Sequence, residues 1–174
     1  MATPIENARS KIAEARFFVA LMDRIEYSRN PLVPQFSADD EFVYLLSAFL
    51  NSCYSVTEYL KMDPSLKVAV KNFRTEHPDF YGSGLRGGLR TRAVHFGPVK
   101  PGHDGYIPPP GNNVIIRMRP VDKPSQSGGS ADFHFENKGH YYFDGSSPQN
   151  CIWDHCGTHL NVLVGFVAKC AGEA

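Results

Sequence analysis

The sequence predicts a mainly α fold: an up-and-down helical bundle with a small antiparallel β-meander inserted before the last helix. Three observations predict it. Apolar residues recur at alternating steps of three and four over long stretches at both ends of the chain. Capping residues and prolines bound those stretches. Between them lies a Pro/Gly-rich run and then short alternating runs of β character. At 174 residues the chain suits a single domain, 1–174, with 97–148 as a loop and β insertion within it.

The first helix is expected from Pro4 to about Arg29, with Thr3 as N-cap and Glu6 in the first turn. Ile5, Ala8, Ile12, Ala15, Val19 and Met22 form its stripe. Asn30-Pro31 stops it, because a proline disfavours helical geometry in the residue before it. Ser37 caps a second helix, and Asp39, Asp40 and Glu41 complement the positive end of its dipole. Phe42, Leu46, Phe49, Cys53, Val56 and Leu60 hold one face; the other, with Ser47, Asn51, Ser52, Ser55 and Thr57, is polar but uncharged. A helix with both faces this mild is expected to be central. Asp63-Pro64 opens a third segment, buried through Leu66, Val70 and Phe73 and wet along Lys67, Lys71 and Arg74, and His77-Pro78 closes it.

From about Ser83 to Phe96 helical spacing returns, interrupted by Gly87-Gly88. Either the backbone approaches a neighbour closely there, or the helix starts only after the pair. Gly97 to Asn113, with Pro108-Pro109-Pro110-Gly111, reads as a turn or loop. Val114 to Arg119, Asp132 to Glu136 and His140 to Asp144 read as the three strands of the meander, with Asn137-Lys138-Gly139 as a hairpin turn. Gln149 to about Lys169 returns to helix through Ile152, Cys156, Leu160, Leu163, Val167 and Cys170.

The formal charge of zero, from 18 basic and 18 acidic side chains, gives no global signature for nucleic acid, so electrostatic attraction must come from a local patch. No apolar run approaches the ~20 residues that span a bilayer, and no membrane role is expected. The start Met1-Ala2-Thr3-Pro4-Ile5-Glu6 lacks the pattern of a signal peptide. With Cys53 and Cys170 at apolar helical positions, a cytoplasmic protein with reduced cysteines is expected.

The chemistry concentrates in Arg86, Arg90, Arg92 and His95. Arginine keeps a permanent charge, and histidine exchanges a proton near neutral pH. Arg90-Thr91-Arg92-Ala93-Val94-His95 resembles the Arg-x4-6-His motif of the HEPN superfamily of helical bundles. The resemblance covers about Ala2 to Phe96 and Gln149 to Cys170, and it departs at Thr91, where those nucleases carry Asn, Asp or His. It implies a HEPN-like bundle, a homodimer with two motifs in one cleft, and metal-independent endoribonuclease activity without a cofactor. It further implies an RNA substrate and a toxin–antitoxin or defence partner. His95 would be the acid/base, Arg90 and Arg92 would bind phosphate, and Arg86 would assist substrate binding. On an ideal helix Arg90 and His95 lie about 140° apart, whereas Arg92 and His95 share a face.

Two other readings stand beside this. In one the bundle is noncatalytic and serves interaction or oligomerisation, with the motif as surface. In the other Cys151, His155 and His159, spaced four apart on the last helix, bind a metal, joined by His134 or His140. The pairing of Cys151 with His155 as nucleophile and base is the weakest, since nothing visible in the sequence orients the histidine. Trp153, Tyr141, Tyr142 and Phe143 are expected to pack the meander on the bundle or to form a dimer interface.

Overall fold

The computed structural model describes residues 2–83, 87–95, 101–103, 141–143 and 151–173, and the side chains of 93–95 and 101–103 are outside that description. The described part is mainly helical. Helix α1 runs Pro4–Ser28, α2 Ala38–Lys61, α3 Lys67–Glu76, α4 Pro78–Tyr81, α5 Leu89–His95 and α6 Ile152–Cys170. A 3-10 turn, Pro64–Leu66, leads into α3.

Local signals account for most of the boundaries. Thr3 and Glu6 form a reciprocal capping box at α1, and Arg29 ends that helix in the left-handed region at φ 56°. The Ser37 hydroxyl accepts from the Asp40 N–H at α2. Glu41, buried, accepts the backbone N–H groups of Leu32 and Val33 at 2.5 and 2.6 Å, which fixes the connection between α1 and α2. The acidic run therefore serves structure.

The core forms where α2 meets α1, α3 and α6. All six residues of the expected α2 face are buried, as are Ala8, Ile12, Ala15 and Met22 of α1 and Ile152, Cys156, Leu160, Leu163 and Val167 of α6. Ser52 and Thr57 on the polar face of α2 are buried too, and the Ser52 hydroxyl donates to Glu14 of α1 at 2.8 Å. The central placement of α2 agrees with its uncharged polar face. None of the four cysteines forms a disulfide. Among the described residues no helix is long and apolar enough to cross a membrane.

Two departures from expectation matter. His77-Pro78 closes α3, but the proline then serves as the first residue of a further helical turn, α4. The stretch expected as loop contains a strand, β1 Pro101–His103, antiparallel to β2 Tyr141–Phe143 with Gly102 opposite Tyr142. Proline is tolerated there as the first residue of an edge strand. Strand β2 matches the third strand expected of the meander. The other two expected strands, Val114 to Arg119 and Asp132 to Glu136, with the Asn137-Lys138-Gly139 turn, lie outside the described residues. Tyr141 stacks on Phe42 of α2 at 3.9 Å, so β2 does pack on the helices through an aromatic.

Candidate functional site

Helix α5 carries the Arg/His motif, and the glycine pair places it. Gly88 sits so close to α4 that a Cβ would lie 2.5 Å from the Phe80 carbonyl carbon and 2.7 Å from the Gly82 nitrogen. Its N–H donates to the Gly82 carbonyl at 2.9 Å. Both alternatives for the pair are thus realised: close backbone approach, and a helix that starts just after it. The Thr91 hydroxyl donates to the same Gly82 carbonyl at 2.9 Å, and Leu89 is buried. Thr91, the departure from the HEPN pattern, ties α5 to the turn behind it.

Arg90 is half-buried, with its guanidinium carbon 4.0 Å from the centre of the Tyr54 ring on α2. Its Nε is buried and has no hydrogen-bond partner, and it forms no ion pair among the described residues. A second guanidinium, that of Arg74, lies 4.3 Å from the same ring. Arg74 is compensated: its Nε donates to the Thr57 hydroxyl at 3.0 Å and it pairs with Glu58 at 2.7 Å. Burial pushes the Glu58 carboxyl up, but the hydrogen bond and charge of Arg74 outweigh this and hold it below the usual range. Arg74, expected on the wet side of α3, is only 18% exposed, because this network draws it inward. Arg92 is exposed. The side chain of His95 and the whole of Arg86 lie outside the described residues. The motif's first arginine therefore faces an aromatic platform that sequence reasoning did not include. Tyr54 falls beside the heptad face of α2, and no local pattern links it to residues 74 and 90.

The residues of the metal reading diverge. His159 is 4% exposed, with Nε2 3.0 Å from the Tyr81 hydroxyl and its ring stacked on Phe80 at 3.6 Å. Burial, followed by the nearby His77 and His155, pushes its pKa down to about 3. It is neutral at pH 7 and does not serve as a proton donor there. His155 stacks on Phe80 at 5.0 Å, and burial lowers its pKa against the opposing pull of Asp79. Cys151 instead turns its Sγ to the buried Glu26 carboxylate at 3.8 Å. Among the described residues no three His, Cys, Asp or Glu side chains are grouped to hold a metal ion, and His134 and His140 lie outside them. Burial raises the thiol pKa values of Cys53 and Cys156, which keeps both protonated and unreactive.

A groove of about 450 Å³ runs between α3 and α6, with Phe73 and Phe166 stacked in its wall and Asn72, Glu76, Asn161 and Lys169 around it. It contains none of the motif residues. Fold and site together define a mainly helical protein with an arginine that lies beside an aromatic ring and has no ion-pair partner among the described residues. The chain matches no family model, and neither a curated protein nor a solved structure matches it significantly.

Proposed function

We propose that this is a HEPN-like helical bundle that binds RNA phosphate through α5 and cleaves RNA without a metal. His95 acts as acid/base, and Arg90 and Arg92 stabilise the phosphorane-like charge. Arg86 extends the phosphate contact, and a homodimer sets two motifs in one cleft. One observation carries this reading: Arg90 is a half-buried cation with no carboxylate partner among the described residues, its guanidinium carbon 4.0 Å from the centre of the Tyr54 ring. An aromatic ring attracts a guanidinium without cancelling its charge, which stays available to a phosphate. The resemblance of 90–95 to the Arg/His motif supplies the proton-transfer partner.

Cleavage of a labelled single-stranded RNA in EDTA tests it. Arg90→Ala is expected to lower the rate about 10²–10³-fold, as loss of a charge-stabilising donor does, and His95→Ala to abolish it. Undiminished cleavage by His95→Ala, or strict dependence on added metal, would refute the nuclease. A second reading, a noncatalytic interaction module with its own partner, is favoured by the Thr91–Gly82 bond, which uses a motif residue for packing. It is selected if no RNA is bound or cut.

A further inference from the structure

We infer that Tyr54 is the positioning residue of the site: it aims Arg90, and Arg74 clamps Tyr54 in turn. This deepens the reading above and rests on it for the identity of the anion. The geometry is specific. Tyr54 has guanidinium carbons at 4.0 Å (Arg90) and 4.3 Å (Arg74) from its centre. The two cations are not equivalent. Arg74 is neutralised by Glu58 and hydrogen-bonded to Thr57, so it is a fixed structural part whose charge is already answered. Arg74 also lies 5.7 Å from the ring of the half-buried Tyr81, whose hydroxyl meets the buried His159, which links the platform to that pair. Arg90 has none of these anchors among the described residues. The described contact that orients its guanidinium is the Tyr54 ring, and its buried Nε has no acceptor among those residues. An aromatic face attracts a desolvated guanidinium without neutralising it, so the charge remains available to an incoming phosphate. A carboxylate in the place of Tyr54 would hold the arginine equally well and cancel it.

Two measurements on the full chain test the inference. The first needs no RNA. The Arg90 Nε–H resonance, followed by NMR, is expected to be displaced by the ring current of Tyr54. Tyr54→Phe should keep that displacement and Tyr54→Leu should remove it. A resonance unmoved by Tyr54→Leu overturns the inference. The second is a double-mutant cycle on binding of a labelled single-stranded RNA across a salt series. Arg90→Ala should reduce the salt slope by about 0.7, the loss of one single-strand phosphate contact. Tyr54→Leu should weaken binding roughly three- to tenfold alone, and less than about twofold in the Arg90→Ala background. Tyr54→Phe should bind like the parent. Equal losses in both backgrounds show a general packing role and overturn the inference. Failure of the parent protein to bind RNA rejects the RNA reading instead, and the resonance experiment then decides the role of Tyr54 by itself.

Discussion

His159 shows at the residue scale how one buried ring converts pH into stability. Its pKa falls to about 3 in the folded protein, from an ordinary value near 6.5, chiefly because burial penalises the imidazolium. Between those values the unfolded chain binds the proton and the folded chain does not, so stability rises with pH across that window. The contribution is fully present above about pH 6.5 and is lost as pH falls toward 3, by up to about 1.4 kcal/mol per unit. His155, lowered in the same direction, adds to the loss. Urea midpoints measured at pH 7.5 and pH 4.5 should therefore separate clearly. His159→Gln, whose amide can take the place of Nε2 opposite the Tyr81 hydroxyl, should narrow the gap although it lowers stability at pH 7.5. An unchanged gap would assign the acid sensitivity to other groups. The sequence placed His159 on a flank with Cys151 and His155 but could not show where that flank points. Periodicity assigns residues to a face; only the folded neighbours, Phe80 and Tyr81 here, make one ring a core group. Arg74 departs from its wet register for the same reason: partners on α2, Thr57 and Glu58, draw the charged side chain inward.

At the element scale, the long helices were legible because each repeats its apolar signal over several turns and carries a cap. Helix α4 was not, since four residues after a stop signal have no period to read. Strand β1 was not either, because Pro-Gly-His has no strand propensity of its own and its pairing with 141–143 depends on residues far away in the chain. The α4–α5 corner can be tested through two glycines of opposite character. At Gly88 a Cβ would strike backbone atoms of Phe80 and Gly82, which cannot rotate away. Gly88→Ala should cost about 1–3 kcal/mol and shift α5 away from Tyr54. At Gly165, inside α6, a Cβ would meet nothing within 4 Å. Gly165→Ala should stabilise by about 0.5–1 kcal/mol through the lower entropy of the unfolded chain. Thermal unfolding of the two variants reads both signs. If Gly88→Ala proves neutral, the close approach of α5 to α4 is not what holds the motif in place.

At the scale of the whole molecule, residues from the two ends of the sequence close on one another around α2. The Arg9–Glu173 ion pair is exposed, and exposed pairs contribute little. Tyr141 contributes far more. It is fully buried, stacks on Phe42 at 3.9 Å and donates its hydroxyl to Asp39 at 2.6 Å, so a three-residue strand is fastened to the first turn of the central helix. Burial, then the bond to Asp39, raises its pKa, so the donor stays protonated throughout the physiological range. The ring and the hydroxyl can be separated experimentally. Tyr141→Phe keeps the stack and loses the bond to a carboxylate, an expected cost of about 1.5–3 kcal/mol. Tyr141→Ala loses the stack as well and opens a cavity beside Phe42, for an expected total of about 3–5 kcal/mol. Urea unfolding gives both values, and amide exchange in the first turn of α2 should rise in step with them. If Tyr141→Ala leaves stability and exchange at parent levels, β2 contributes no fastening, and the helices must hold without the segment that joins α5 to α6.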